Sequence, residues 1–240
     1  MSALLAPFDS TVRPARAKHT FQITNGYRQG LRAFNDCRAV GSSGSPSEVL
    51  NAVIASMNRI LIEDFTWFAV HAGVVQLGDH IVAFPARSGE GKTTLTAACL
   101  ISGFSYLSDE ALVLNDDGGV VSYPKPLALS PWTCEVLDLA ERADGERLFT
   151  ADEIGARVGT GGGPVTDIVL ARYGASTYSM KEIPRSTGVA VLLEHSFNHY
   201  KDPARAFKLA TSTAAGARVW KLEYDNPMRA AELLSAQLSG

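Results

Sequence analysis

A glycine-containing run in the first half of the chain has the residue types and the spacing of a phosphate-binding loop. It reads Ala86-Arg87-Ser88-Gly89-Glu90-Gly91-Lys92-Thr93, and Thr94 follows. In such a loop the glycines let backbone N–H groups turn toward phosphate oxygens, the lysine reaches the β- and γ-phosphates, and the next hydroxyl joins the Mg²⁺ shell. The run therefore predicts a site for ATP with Mg²⁺. The residues assigned to the nucleotide are Ser88, Gly89, Glu90, Gly91, Lys92, Thr93 and Thr94.

The first position of the run departs from the glycine form of the motif. The residue six before Lys92 is Ala86, a replacement common in P-loop families. The alternative interpretation is a glycine-rich turn that caps a helix, but such a turn does not need a lysine and two threonines in this order after a strand. Arg87 stays open between a contact to the γ-phosphate and a solvated position on the loop.

An acidic pair, Asp109-Glu110, follows the loop at the end of a β-rich segment. Its separation from Lys92 fits one helix and a returning strand, which would place the pair beside the loop. Phosphoryl transfer uses groups of this kind to hold Mg²⁺ and to orient or deprotonate the acceptor. The alternative is an acidic surface turn, and the phosphate loop upstream favours the functional interpretation.

One histidine is a further candidate for the site. His71 stands in the otherwise apolar segment Phe68-Ala69-Val70-His71-Ala72-Gly73. A lone histidine in such a strand is more often a core or edge residue whose hydrogen bonds are satisfied within the fold than a functional residue. The residue pattern alone therefore makes His71 a weak candidate.

The phosphate loop needs a strand before it and a helix after it, and the sequence supplies both. Period-two apolar patterns predict a hairpin of Thr66–Leu77 and His80–Phe84, with the loop directly after it. Thr94–Ser102 is predicted as the following helix. Phe104–Leu107 and Ala111–Leu114 are predicted as the strand pieces on either side of the acidic pair.

The rest of the chain predicts further strands and helices. Upstream, Ser45-Pro46-Ser47-Glu48 predicts a helix start, with Ser45 as its cap and Glu48 bonding back to that cap. Buried strands are predicted at Asp167–Arg172, Val189–Glu194 and Arg218–Tyr224. Helices are predicted over Pro131–Ala140, after Thr150, and from Pro203 and Pro227. Strands that alternate with helices indicate an α/β fold.

Composition excludes several function classes. The chain has 240 residues, 46% of them hydrophobic, and a formal net charge of −3, so it is expected to be globular and to offer no basic surface for nucleic acid. No apolar run approaches the roughly 20 residues of a membrane helix. Cys37, Cys99 and Cys134 lack metal-ligand or redox spacing and are expected to be reduced.

These observations set expectations for organisation and location. Residues 1–18 are expected to form a loose lead-in and residues 19–240 a single domain. The protein is expected in the cytoplasm, since its first residues are too short an apolar run for a signal peptide. Its oligomeric state stays open, with a homo-oligomer among the options.

The order of these features resembles a known family. The run His71-Ala72-Gly73, a strand hairpin, the phosphate loop, a helix and Ser108-Asp109-Glu110 resembles the catalytic domain of HPr kinase/phosphorylase. It is more similar to the shorter HPr-kinase-related proteins found beside peptide-modification genes, including the lasso-peptide kinases. The core match covers about residues 65–115, and Tyr123-Pro124-Lys125-Pro126-Leu127 resembles a Pro-basic-Pro segment of these relatives. From about residue 150 only the strand–helix rhythm is similar.

The resemblance implies a fold and a set of roles. The fold is a P-loop α/β domain akin to phosphoenolpyruvate carboxykinase, with helices packed on a mixed sheet. The activity is transfer of phosphate from ATP to a serine hydroxyl. Asp109 would be the base toward that hydroxyl, Thr93 and Glu110 would hold Mg²⁺, and His71 would lie near the transferred phosphate, with Lys92 also catalytic.

Two departures limit what the resemblance implies. HPr kinase proper has an Asp-Asp pair where this chain has Asp109-Glu110, a change that keeps a metal-ligating carboxylate on a longer arm. The Arg- and Gly-rich loop tied to the phosphorylase activity is missing, and Gly159–Gly163 does not match it. Neither the reverse reaction nor HPr as the substrate is therefore implied.

The sequence leaves three interpretations of function. The first is an ATP-dependent kinase whose partner is a peptide or protein substrate carrying an acceptor serine. The second is a kinase for the hydroxyl of a small molecule. The third is a nucleotide-binding regulator without turnover. Asp109 separates the third from the others, because phosphate transfer needs a base, whereas nucleotide binding needs mainly the loop and Mg²⁺.

Overall fold

The computed structural model describes residues 18–26, 30–139 and 145–239. The predicted lead-in over residues 1–18 lies outside these ranges except for Lys18. The strands are β1 Phe21–Asn25, β2 Leu31–Asn35, β3 Arg38–Ser43, β4 Phe68–Leu77, β5 His80–Pro85, β6 Ser105–Ser108, β7 Ala111–Leu114, β8 Val120–Val121, β9 Leu127–Leu129, β10 Arg147–Phe149, β11 Asp167–Tyr173, β12 Ser179–Glu182 and β13 Arg218–Tyr224. The α-helices are α1 Pro46–Asp64, α2 Lys92–Ile101, α3 Pro131–Val136, α4 Arg185–Glu194, α5 Pro203–Gly216 and α6 Pro227–Ser239. Among the helices of these ranges, none combines the length and the apolar character needed to span a bilayer.

A mixed sheet forms the centre of the fold. Its strand order is β12-β13-β11-β5-β4-β7-β8, and β6 also pairs with β4. One hydrophobic cluster packs residues of α2 and α6 on one face of the sheet, and a second packs residues of α4 and α5 on the other. A sheet covered on both faces requires nearly continuous apolar strands, and β4 has them in Phe68–Val75 apart from His71. The predicted α/β class, with helices on a mixed sheet, is confirmed.

Strand direction determines which segments meet at the phosphate loop. Strands β5, β11 and β13 are parallel, so their carboxyl ends lie at the same edge of the sheet. The loop leaves β5 at that edge. On the other side of β5, β4 runs antiparallel to it and pairs with both β6 and β7. The turn between β6 and β7 carries Asp109 and Glu110, so the acidic pair and the ends of β11 and β13 lie on opposite sides of β5.

A second, small sheet of β1, β2 and β3 packs against α1. Its core is Ala33, Val49 and Val53, and the helix predicted after Ser45 is present. The predicted capping detail is wrong, because the Ser45 side chain makes no capping hydrogen bond and Glu48 accepts from the Ser43 hydroxyl instead.

The strand predicted at Val189–Glu194 is also wrong. The segment is the second half of helix α4, which starts at Arg185 directly after Pro184. A short apolar run fits a buried helix as well as a buried strand, so its periodicity does not distinguish the two. Packing decides here: a Cβ on Gly188 would lie 2.9 Å from Val219 Cγ2, so the helix sits closely on β13.

Candidate active site

The phosphate loop has the strand–loop–helix context that its sequence predicts. Strand β5 ends at Pro85, and α2 begins at Lys92. Gly89 and Gly91 have φ values of 85° and 86°, in the left-handed region that glycine adopts without strain. Gly91 is also the N-cap of α2, so the unpaired N–H groups of the first helical turn begin at the loop. The N-terminus of a helix with such free N–H groups favours the binding of an anion.

Lys92 spans the loop in this structure. Its Nζ donates to the backbone carbonyl of Arg87 at 2.9 Å, and the residue is buried. Burial lowers the pKa of Lys92, and the nearby carboxylates Glu110 and Asp109 oppose part of that effect. A lysine held over the loop by one carbonyl can exchange that carbonyl for a phosphate oxygen.

Two other side chains of this segment form hydrogen bonds with neighbouring helices. The guanidinium of Arg87 donates to Glu194 of α4 at 2.6 Å, and its side chain is 69% exposed, so the residue holds a solvated position on the loop. The Thr94 hydroxyl is 2.9 Å from the Thr133 hydroxyl of α3. The carboxylate of Glu90 accepts from the Arg87 N–H at 2.6 Å and stabilises the turn itself.

Asp109 is buried and accepts hydrogen bonds on both of its carboxylate oxygens. Oδ1 lies 3.0 Å from Lys125 Nζ and 3.0 Å from the Tyr106 hydroxyl. Oδ2 accepts from the Thr93 hydroxyl at 3.3 Å. Because Lys125 and Tyr106 hold Oδ1, the oxygen that faces the phosphate loop is Oδ2.

Lys125 provides the counter-charge for both carboxylates. Its Nζ is 3.7 Å from Glu110 Oε2, in addition to its contact with Asp109. Burial would lower the pKa of Lys125, but the two carboxylates outweigh burial and keep the pKa above its usual value. Burial raises the pKa of Glu110, although Lys125 and a hydrogen bond from Asn58 of α1 act the other way.

His71 lies beside the acidic pair. Its Nε2 is 3.8 Å from Glu110 Oε1, and its ring packs on Phe197 at a centroid distance of 5.2 Å. Burial, with a smaller contribution from the charge of Lys92, lowers the pKa of His71 to about 4. The imidazole is therefore neutral at pH 7 and can donate a hydrogen bond without adding charge.

A glycine permits the close approach of β4, which carries His71, to the helix of the phosphate loop. A Cβ on Gly73 would lie 2.4 Å from Thr96 Oγ1 of α2, a distance that no real Cβ shows. Any side chain at position 73 would therefore have to displace the Thr96 side chain.

Residues 88–94 of the phosphate loop line one cleft of about 1610 Å³ together with His71, the acidic pair and Lys125. Outside the loop, lining residues form two walls, one on each side of the phosphate loop. The acid wall consists of Asp109, Glu110, His71 and Lys125. The aromatic wall consists of Trp132, Tyr173 and Tyr224. Asn58 and other residues of α1 also line the cleft.

The oxygen atoms near the loop suit Mg²⁺. The Thr93 hydroxyl and the Asp109 and Glu110 carboxylates are hard donors of the type that Mg²⁺ prefers, and Mg²⁺ commonly uses only one or two carboxylates together with phosphate oxygens. Within the described ranges no group of three or more His, Cys, Asp or Glu side chains could hold a metal ion. The residues present fit a metal held jointly with a nucleotide.

The structure brings together most of the residues that the sequence proposed. Lys92 and Thr93 meet Asp109 and Glu110, with His71 adjacent. The sequence did not assign Lys125 or Tyr106 to the site. The two prolines around Lys125 were the available signal, whereas Tyr106 looks like any other core aromatic.

Comparison with known proteins gives little. No family model matches the sequence, and no curated protein does either. Among solved structures, an HPr(Ser) kinase/phosphatase from Coxiella burnetii is similar at a TM-score of 0.38 and 11% sequence identity, over 72% of this chain and 99% of that chain. The similarity is distant.

Proposed function

We propose that this protein is an ATP-dependent phosphotransferase that moves the γ-phosphate to a hydroxyl, and that the acceptor is a serine of a peptide or protein. The observation that carries the proposal is the 3.3 Å contact between the Thr93 hydroxyl of the phosphate loop and Asp109 Oδ2. It joins a phosphate-binding element to a buried carboxylate, and transfer requires both. The serine acceptor rests on the family resemblance of the motifs.

The proposed step uses Asp109 Oδ2 as the base. Oδ2 takes the proton of the acceptor hydroxyl, the acceptor oxygen bonds to the γ-phosphorus, and the bond from that phosphorus to the β–γ bridging oxygen breaks, leaving ADP. Lys92 would stabilise the charge on the β- and γ-phosphates. Neutral His71 would donate a hydrogen bond to the transferred group.

Thr93 and Glu110 would hold Mg²⁺, which when bound neutralises phosphate charge. Lys125 and Tyr106 would act through Asp109, since both hold its other oxygen, Oδ1. Oδ1 is fixed by Lys125 and by a Tyr106 hydroxyl that also lies 2.7 Å from the Lys125 carbonyl, so the base keeps its orientation. This arrangement costs little reorganisation when the acceptor arrives.

Transfer of label tests the proposal. The protein is incubated with Mg²⁺, γ-labelled ATP and either a library of serine-containing peptides or a set of small hydroxyl compounds. We expect label in peptides with the wild-type protein. Asp109→Asn should still bind ATP, and its turnover should fall by a factor on the order of 10² or more, the usual scale of general-base catalysis.

The matched control is Asp117→Asn, an exposed carboxylate on the turn before β8. It should transfer at the wild-type rate. Label only in small compounds would replace the peptide acceptor with a small-molecule one. If Asp109→Asn transfers nearly normally, or if the wild type binds ATP without any transfer, a nucleotide-binding regulator describes the protein better.

A further inference from the structure

The aromatic wall lies on the side of the phosphate loop away from the acidic pair. Tyr173 ends β11 and Tyr224 ends β13, and both strands lie beyond β5 in the sheet. Asp109 and Glu110 lie on the opposite side, beyond β4. A triphosphate in the loop with its γ-phosphate near Asp109 would therefore direct its nucleoside toward β11 and β13.

Three rings form this wall in an edge-to-face chain. The centroid of Trp132 is 5.5 Å from that of Tyr173, which is 5.6 Å from that of Tyr224. Trp132 is 44% exposed and Tyr173 is 48% exposed, although both line the cleft. Large aromatic rings left accessible inside a cleft are suited to stacking on a planar ligand.

Two contacts tie the wall to the loop. A Cβ on Gly91 would lie 3.7 Å from the Tyr224 hydroxyl, so this tyrosine borders the loop directly. The hydroxyl of Thr94, the third residue of α2, is 2.9 Å from that of Thr133, next to Trp132 in the chain. The aromatic wall therefore lies next to the junction between the phosphate loop and α2.

From this geometry we propose that Trp132 and Tyr173 form the subsite for the base of the nucleotide, which stacks on their exposed rings. The inference rests on the proposed function, because it takes ATP as the ligand of the loop. It assigns affinity for the base to a surface separate from the phosphate contacts.

Inorganic tripolyphosphate is the probe that separates base from phosphates, since it offers the phosphate chain alone. The Kd values of ATP and of tripolyphosphate are measured with Mg²⁺ for the wild type, Trp132→Ala, Tyr173→Ala and Trp132→Phe. For each alanine variant we expect the Kd of ATP to rise about fivefold or more, the lower end of what aromatic stacking contributes to a base. The Kd of tripolyphosphate should stay within about twofold, and Trp132→Phe should retain most of the affinity for ATP.

Trp67→Ala is the matched control, because Trp67 is 38% exposed and does not line this cleft. Its Kd for ATP should equal that of the wild type. Thermal melts verify folding, and Tyr173→Ala provides the test if Trp132→Ala does not fold.

Two results would overturn the inference in different ways. If both ligands bind and the alanine variants weaken both equally or neither, the aromatic wall is not a base subsite, and the phosphate loop assignment stands. If the wild type binds neither ligand, the proposed function fails and the base subsite fails with it.

Discussion

The acid wall and the aromatic wall differ in burial and in bonding. Asp109 is 4% exposed and accepts from Lys125, Tyr106 and Thr93. On the aromatic wall Tyr173 is 48% exposed, and its ring packs edge to face on its neighbours. The acid wall is a hydrogen-bonded network of charged groups around the buried Asp109, whereas the aromatic wall exposes the rings of Trp132 and Tyr173.

The difference follows from what each wall would have to do. A base and a metal ligand act only at fixed positions, and buried charges are stable only when they are paired and hydrogen-bonded. A ring that stacks on a base can tolerate small displacements and needs no partner. Changes on the acid wall should therefore affect turnover and stability, whereas changes on the aromatic wall should affect nucleotide affinity.

The largest effect on turnover is expected at the boundary between the walls. Lys92→Ala removes the positive charge for the β- and γ-phosphates, so turnover should fall by a factor of roughly 10³, the upper range for loss of one stabilising donor. The fold should persist, as a thermal melt would show. Lys208→Ala on the exposed surface of α5 is the control. Wild-type turnover by Lys92→Ala would contradict the phosphate loop assignment.

Stability should respond most to Lys125. Lys125→Met leaves the buried Asp109 and the partly exposed Glu110 without this cation, and breaking the buried pair with Asp109 costs about 3–5 kcal/mol of unfolding free energy. Denaturation in urea measures the loss. The double variant with Asp109→Asn should recover part of it, because one of the stranded charges is gone.

The surface pair of Lys221 and Glu223, at 2.9 Å, is the matched comparison. Lys221→Met should lower the urea midpoint far less than Lys125→Met, because solvent screens surface pairs. Equal losses from Lys125→Met and Lys221→Met would remove the distinction between a buried charged network and the open surface.

Sequence reasoning found the parts of the site whose signal is local. The phosphate loop around Lys92 and the acidic pair at Asp109 are contiguous motifs, each tied to a strand end, and their meeting follows from one helix and a returning strand. The sequence indicates Lys125 only as part of a Pro-basic-Pro segment, because its pairing with Asp109 depends on how the connection between the two residues folds back.

The remaining part of the site depends on contacts between distant segments. Trp132 and Tyr173 come from different elements, and no local pattern predicts that their rings meet. The strand predicted at Val189–Glu194 failed for a related reason: its apolar run is compatible with two structures, and packing against β13 selects the helix.

A smaller, reversible effect is expected at Glu110. Glu110→Gln should raise the Mg²⁺ concentration required for half-maximal turnover by a factor of about ten, if one charged ligand is worth about 1.4 kcal/mol. Excess Mg²⁺ should restore much of the rate to Glu110→Gln and none to Asp109→Asn. Turnover measured against Mg²⁺ for both variants separates a metal ligand from a base. Parallel curves for the two variants would count against these separate roles.

The smallest effect on turnover is expected at His71, where pH gives an independent measurement. His71→Asn should lower turnover by a factor of roughly two to ten, the worth of one neutral hydrogen bond, while ATP still binds. The pKa of His71 is lowered to about 4 in the folded protein. Between the ordinary value of 6.5 and about 4, the unfolded chain therefore takes up a proton that the folded protein does not.

Stability should accordingly fall as pH drops from about 6.5 toward 4, since the unfolded state binds more protons there. His71→Asn removes this contribution, so its stability should fall less steeply over that window, although His195, whose pKa burial also lowers, still contributes. Urea midpoints measured across the window test this, with the exposed His199→Asn as the control. A His71→Asn protein with the wild-type slope would contradict the neutral imidazole, and one that unfolds outright would make His71 a core residue instead of a member of the acid wall.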